Sequence, residues 1–306
     1  MLLYCSTKPQ IASKRLAENN IAVENAKLSE NVYKTTNLLK DTPGVPEGWK
    51  DISNDESALK KLGLRSDMLY DDEQSPDFLA RAYQPDSSIF GKAMSPTVVF
   101  RGSRAPGLAE GTGDTVKKIL FDDVSEIKNI KIDNAEDWIN NGAQSVGMNS
   151  EYYEKAVKIG KVLKNSPSTS ISGHSLGGGM ASAASIASGK PAWTFNAAGL
   201  HPGTVEKYGG SLTGSPGNIQ AYRVKGELLT KLQEVDLLDD GRSLDFSPAF
   251  LAGKEGLSSL APDAEGIKHT IPGGTGSLLD KHGIDQMIRV IEEQKDDDIA
   301  TIRSRI

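Results

Sequence analysis

The chain has a single cysteine, no long apolar run and no excess of positive charge. With Cys5 as its one thiol, it can form no intrachain disulfide. No stretch approaches the roughly 18 apolar residues that a membrane-spanning helix needs. The net charge of −6 argues against a nucleic-acid partner and against electrostatic attraction to anionic lipids. Any contact with lipid must therefore be apolar or take place in a shaped cleft.

The first residues also lack the features of a targeting signal. Residues 1–8 contain no apolar core of signal-peptide length, and Tyr4 before Cys5 does not suit a lipoprotein signal. We therefore expect a protein made in the cytoplasm that is exported, if at all, by a route without a cleaved signal.

A five-residue motif is the most informative feature that is present. Residues 173–177 read Gly-His-Ser-Leu-Gly, the G-x-S-x-G pattern of a nucleophile elbow. Such an elbow lifts a serine hydroxyl above the end of a sheet, on a strained turn between a strand and a helix. Residues 167–172 predict the strand, and the small residues of 177–188 predict a helix packed closely against it. The pattern predicts Ser175 as a nucleophile.

The surrounding patterns predict an α/β fold of the α/β-hydrolase type, with a mainly parallel sheet flanked by helices. Strands are predicted at 77–83, 97–100, 167–172, 192–196 and 219–224. Helices are predicted at 8–40, within 52–70, and at 137–141, 150–165 and 284–293. The order of elements after residue 167 calls for crossover connections between parallel strands. The acidic run at 295–298 predicts a solvated helix end.

Most of the chain fits one large domain. We expect residues 1–50 to form a helical extension packed on the core and residues 51–306 to form the hydrolase domain. Residues 104–134 show little regular pattern, and a long irregular segment in a compact domain is often a lid or a binding loop. This segment is a candidate lid, with a plain surface excursion as the alternative.

A serine hydroxyl needs a general base, and the base needs a carboxylate that orients it. In this fold the chain order is serine, acid, histidine, and the chain has only four histidines. His174 lies inside the elbow, where we expect a structural role, and His201 follows too early for an acid to precede it. His282, just before the last helix, is the first choice, and His269, in a strand-like segment, is the alternative.

The acid should follow the strand after the elbow unit. Glu227 lies in the first turn after strand 219–224, a rigid position, and is the first choice. Asp236 is the alternative acid, with Asp239 and Asp240 in the same polar run. Ordinary surface charge is the competing interpretation of all four.

The tetrahedral intermediate of acyl transfer needs an oxyanion hole, whose donors contribute about 3–4 kcal/mol each. The backbone N–H of Leu176, directly after the nucleophile, is the expected first donor. Residues 98–103 predict the second, because Gly102 permits a tight turn after a buried strand and Ser103 offers an N–H and a hydroxyl. This chemistry needs no metal and no cofactor, and we expect none.

These motifs resemble those of class 3 lipases, which pair a Phe-Arg-Gly-Thr/Ser segment with a Gly-His-Ser-Leu-Gly-Gly elbow. Both stand here, at 100–103 and 173–178, and the resemblance covers roughly residues 77–292. More narrowly, three segments resemble bacterial lipase-like effector domains, which are similar to phospholipase A-type toxins of type VI secretion systems and to related polymorphic toxins. The three segments are 137–153, 173–179 and 195–200.

The resemblance implies an α/β-hydrolase fold, a Ser-Asp-His triad and hydrolysis of lipid esters. Ser175, His282 and Ser103 carry over, whereas Glu227 stands where the family usually has Asp. The implied substrate is a glycerophospholipid of a target-cell membrane, and the implied partners are a secretion carrier and a cognate immunity protein. A neutral lipase, an esterase or an acyltransferase is the alternative enzyme, and a catalytically silent binding module is the alternative outside enzymes.

Overall fold

The computed structural model describes residues 7–74, 76–102, 150–200, 203–227, 229–230, 263–276 and 278–304. Within these ranges seven strands form one sheet, in chain order from β1 to β7. The first three strands pair antiparallel and the strands from β3 to β7 pair parallel. The strands are β1 (Trp49–Asp51), β2 (Ala80–Pro85), β3 (Thr97–Phe100), β4 (Ser170–His174), β5 (Ala192–Phe195), β6 (Ile219–Val224) and β7 (Ile267–Ile271).

Helices cover both faces of this sheet, as the predicted α/β-hydrolase-type fold requires. The described helices are α1 (Lys8–Asn31), α2 (Glu56–Lys61), α3 (Ser87–Phe90), α4 (Ser150–Leu163), α5 (Leu176–Ser188), α6 (Thr204–Lys207), α7 (Leu278–His282) and α8 (Ile284–Arg303). A short 3-10 turn, Val32–Lys34, follows α1. Apolar side chains of α4 and α5 pack on one face of the sheet, and those of α1 and α8 pack on the other.

Alternation along β4 shows how the central strand serves both layers. Ile171 points to the α4–α5 side and joins its apolar cluster. Ser172 points to the other side, where its hydroxyl lies 2.8 Å from the hydroxyl of Ser29 on α1. Because successive side chains of a strand face opposite ways, the next residue but one, His174, also faces the α1 side.

Several predicted elements are confirmed with shifted ends. Strands 97–100 and 219–224 are found as predicted, while the predicted strand 77–83 starts only at Ala80. Helix α1 ends at Asn31 rather than near residue 40. Strand β1 was not expected, because three residues are too few to show a period.

The predicted solvated helix end at 295–298 is wrong for Asp298. Helix α8 continues to Arg303, and Asp298 is fully buried. The reason is tertiary: α8 packs along α1, where Arg15 donates two hydrogen bonds to the Asp298 carboxylate. A residue that looks solvent-exposed in the sequence is therefore half of an ion pair between the two terminal helices.

Some predictions fall on residues that the structure does not describe. These are the candidate lid 104–134, the helix 137–141, Ser103, His201 and the rival acids Asp236, Asp239 and Asp240. In the described ranges, no helix has both the length and the hydrophobicity needed to cross a lipid bilayer.

Candidate active site

Ser175 occupies the turn between β4 and α5. Its φ is 59°, a left-handed value that costs a non-glycine residue energy. Such a conformation persists only where the surrounding structure enforces it. Backbone hydrogen bonds do so, because its N–H donates to Phe195 and its carbonyl accepts from Gly178 and Ala198. The serine is thereby fixed at the carboxyl end of the sheet.

Glycines make room for this turn. A Cβ on Gly173 would collide with the backbone of Gly177, and a Cβ on Gly177 would collide with the backbone of Phe100. The end of β3 thus lies directly against the elbow, in register with β4 through the pair Phe100 and Gly173. The motif's glycines are needed for close approach of two backbones.

Ser175, His282 and Glu227 form one hydrogen-bonded chain. The Nε2 atom of His282 lies 3.0 Å from the Ser175 hydroxyl, and its Nδ1 atom lies 2.7 Å from the Glu227 carboxylate. Because an ionised carboxylate only accepts, Nδ1 carries the proton and Nε2 is free to accept one. This is the arrangement that a general base next to a serine requires.

The side chain of Glu227 is fully buried, yet its carboxyl group stays ionised. Burial raises the pKa of its carboxyl, but the hydrogen bond from His282, the attraction of that imidazole when it is protonated and the hydrogen bond from the backbone N–H of Thr230 outweigh burial and hold that pKa below its ordinary value. One oxygen also accepts from the backbone N–H of Leu229, 2.9 Å away. The carboxylate is therefore fixed and charged beside the imidazole.

The alternative base is placed elsewhere. His269 lies on β7, stacked on Tyr222 with 4.4 Å between ring centroids. Its Nε2 atom is 2.7 Å from the side-chain oxygen of Gln220. His269 therefore makes its contacts along the sheet, while His282 is the histidine that contacts the Ser175 hydroxyl.

Of the two expected oxyanion donors, Leu176 lies in the described part of the chain and Ser103 does not. Leu176 is the first residue of α5, so its N–H is one of the helix-start donors that have no partner within the helix. Ser103 lies outside the described residues, but its neighbour Gly102 is close to the nucleophile: a Cβ built there would lie 3.3 Å from the Ser175 Cβ. The described end of the predicted oxyanion segment, at Gly102, thus lies against the elbow.

Sequence reasoning missed two residues in the surroundings of His282, one in direct contact with it and one in contact with His174. Asn196, after β5, donates its amide to the backbone carbonyl of His282 at 2.9 Å. Tyr33, after α1, contacts the imidazole of His174. Asn196 offered a weak signal, since it is a polar residue at the end of a parallel strand, whereas nothing local marks Tyr33. In the described part of the chain, no group of three metal-ligating side chains is arranged to hold a metal ion.

The mostly parallel sheet, the strained elbow and the Ser-His-Glu chain define a protein of the α/β-hydrolase type. The pattern of the Tle-like phospholipase domain matches residues 24–277, which is most of the chain, so the chain belongs to this family of phospholipase-like proteins. The extracellular phospholipase A1 of Serratia liquefaciens is 33% identical over 167 residues, which are 52% of this chain and 50% of that protein. The chain thus spans about half the length of this relative. The resemblance to bacterial phospholipase effectors that the motifs indicated is confirmed at the level of the family.

Proposed function

We propose that the protein is a serine phospholipase of the A type, which hydrolyses acyl esters of glycerophospholipids. The observation that carries this proposal is the hydrogen-bonded chain from Ser175 through His282 to Glu227. Membership of a phospholipase-like family supports the choice of substrate class. No metal or cofactor has a part in this chemistry.

Each residue has a distinct role in the proposed reaction. The Nε2 atom of His282 takes the proton of the Ser175 hydroxyl as that oxygen attacks the ester carbonyl. Glu227 stabilises the imidazolium that results, and the N–H of Leu176, together with Ser103, binds the oxyanion. His282 then gives the proton to the departing lysophospholipid alcohol. Water repeats the sequence on the acyl-enzyme and releases the fatty acid.

The test uses purified protein and phospholipid vesicles, with release of free fatty acid as the readout. Ser175→Ala should lower the rate by a factor on the order of 10⁶. The matched control is Ser182→Ala, which removes a buried serine hydroxyl from the elbow helix and should keep most of the activity. Undiminished release by Ser175→Ala would rule out this nucleophile.

Other substrates and functions give different results in the same assay. A neutral lipase or esterase would prefer triacylglycerol or small esters, and an acyltransferase would form a new ester when an alcohol is added. A catalytically silent binding module would not react with a fluorophosphonate probe. If the probe labels the wild type and not Ser175→Ala, the protein is a serine enzyme and not a silent binding module.

We further propose that the protein acts as an antibacterial effector on the membrane of a target cell. The support is the family itself, a group of type VI lipase effectors. The proposal includes delivery by a secretion carrier and neutralisation by a cognate immunity protein. Wild-type protein directed to the periplasm of a bacterial host should slow growth, and Ser175→Ala should not. Equal growth with the two proteins would contradict the effector role.

A further inference from the structure

We propose that Tyr33 and His174 are positioning residues that hold His282 in place for Ser175. The hydroxyl of Tyr33, the imidazole of His174 and the backbone carbonyl of His282 form what we call the Tyr33–His174 bridge. The inference rests on the proposed function, because it concerns how the base of that reaction is held. It makes the segment after the N-terminal helix a working part of the active site.

The distances and the hydrogen count determine the state of the bridge. The Nε2 atom of His174 lies 2.8 Å from the carbonyl oxygen of His282, and its Nδ1 atom lies 3.0 Å from the hydroxyl of Tyr33. A carbonyl oxygen can only accept, so Nε2 carries the hydrogen. The lone pair of Nδ1 then accepts the hydrogen of Tyr33. One tautomer of His174 satisfies both contacts.

The surroundings keep His174 in this neutral state. Its side chain is buried, and burial, together with repulsion from His282 when that imidazole is protonated, lowers the pKa of His174 to about 3. The rings of His174 and His282 are 5.0 Å apart between centroids. Near neutral pH, His174 is therefore a fixed donor to the base's own backbone.

The carbonyl of His282 needs such donors because it ends helix α7. The last carbonyl groups of a helix have no partner within the helix, and an unpartnered buried carbonyl is costly. Asn196 supplies a second donor at 2.9 Å, and its own side-chain oxygen accepts the N–H of Val224, three residues before Glu227. The base is thus tied to the ends of β4, β5 and β6.

Tyr33 extends the bridge to the oxyanion side of the site. Burial raises the pKa of the Tyr33 hydroxyl, so the group stays protonated, and the backbone N–H of Gly102 faces the same oxygen. A Cβ on Gly102 would collide with that hydroxyl. One phenol therefore contacts both the segment next to Ser103 and the histidine that holds the base.

A substitution that removes one atom tests the bridge. Tyr33→Phe keeps the ring but leaves Nδ1 of His174 without a donor, so His174 can change tautomer and release the carbonyl of His282. A reacting group displaced by about 1 Å can cost on the order of 100-fold in rate. We expect a fall in kcat of about 10- to 100-fold with little change in KM.

The matched control is Tyr83→Phe. Tyr83 is also buried in the N-terminal half and donates its hydroxyl to Asn31 at 3.0 Å, away from Ser175. The Tyr83→Phe variant should lower the melting temperature about as much as Tyr33→Phe does, and it should leave kcat unchanged. A second pair separates role from packing: His174→Gln retains an N–H donor at the Nε2 position and should keep more activity than His174→Leu.

A readout without substrate separates this inference from the proposed function. The Nδ1 proton of His282, shared with Glu227, should give a downfield proton resonance in wild type and in Tyr83→Phe, and should broaden or shift in Tyr33→Phe. If the wild type hydrolyses no ester, the proposed function fails, and this resonance alone then tests the Tyr33–His174 bridge. Equal kcat values for the two phenylalanine variants, or an unchanged resonance in Tyr33→Phe, would overturn the bridge.

Discussion

At the scale of residues, the proposed acid Glu227 stands where the resemblance to class 3 lipases implies Asp. Glu227 has one methylene more than Asp, and it lies three residues beyond the end of β6. The longer side chain brings its carboxylate to 2.7 Å from Nδ1 of His282, while backbone N–H groups of the following turn hold both oxygens. Its position in the turn therefore lets Glu227 contact His282 while its carboxylate is held by the backbone.

The acid can be tested by comparing Glu227→Gln with Asp236→Asn. Glu227→Gln should lower kcat by a factor on the order of 10³ to 10⁴, because an amide no longer favours the Nδ1–H tautomer or stabilises the imidazolium. Asp236→Asn should stay close to the wild type. Initial rates on phospholipid vesicles measure both, and the reverse ranking would assign the role to Asp236.

The lowered pKa of His174 also predicts how the stability of the fold depends on pH. Its pKa falls from 6.5 to about 3 on folding, so between these values the unfolded chain binds a proton that the folded chain does not. The free energy of unfolding should therefore fall as the pH drops below about 6.5, by up to about 1.4 kcal/mol per pH unit.

Denaturant unfolding of wild type and His174→Gln at pH 5 and pH 7 measures this contribution. The variant should lose less stability than the wild type on going from pH 7 to pH 5. His269, whose pKa is also lowered by burial, is common to both proteins and cancels. Parallel pH dependences would show that His174 takes up a proton in the folded state.

At the scale of elements, the elbow depends on how closely β3, β4 and α5 approach. Gly177 lies against the backbone of Phe100, and Gly178 lies against Ala197 after β5. Small residues fill the buried helix α5 for the same reason. The geometry that exposes Ser175 is therefore a property of three packed elements.

Gly177→Ala should damage both folding and activity. The new Cβ would overlap backbone atoms, which cannot rotate away, so we expect a loss of at least about 1–3 kcal/mol in unfolding free energy and a large fall in kcat. Gly217→Ala is the control, since a Cβ there meets only the hydroxyl of Ser215 at 3.4 Å. Thermal unfolding and ester hydrolysis compare the two, and equal behaviour would contradict the close-approach argument.

At the scale of the whole molecule, the two terminal helices support the site together. Arg15 on α1 pairs with the buried Asp298 on α8, and Asn19 bonds to Gln294 one turn away. Tyr33 follows the end of α1, and His282 precedes the start of α8. Docking of these helices thus sets the positions of the base and of the Tyr33 hydroxyl.

Arg15→Ala should loosen this pairing. It leaves the Asp298 carboxylate buried without its cation, but the cost should be less than the roughly 3–5 kcal/mol of a fully buried pair. The reason is that 45% of the Arg15 side chain is exposed, where water screens the charge. Lys14→Ala, which breaks an exposed pair with Glu18, should change little.

Hydrogen exchange and thermal unfolding measure these effects. Amides of α1 and of the last turns of α8, around Asp298, should exchange faster in Arg15→Ala than in Lys14→Ala. Equal protection in the two variants would show that apolar packing alone holds the helices together.

Much of the fold could be predicted because its signals are local. The short runs rich in β-branched and aromatic residues at 97–100 and 219–224 mark strands, and the small residues after Ser175 mark the elbow helix. Strand β1 could not be predicted, because three residues show no period. The burial of Asp298 near the C-terminal end of α8 could not be predicted either, because its partner Arg15 comes from the other end of the chain.

The sequence by itself determined the nucleophile candidate, the order of serine, acid and histidine, and the α/β class, because each of these is written in a contiguous motif or in chain order. Tertiary structure decided which histidine contacts Ser175 and which carboxylate contacts that histidine, and it brought Asn196 to His282 and Tyr33 to His174. These contacts join residues that are 55 to 141 positions apart. Packing of strands and terminal helices creates them, and no local pattern encodes such a distance.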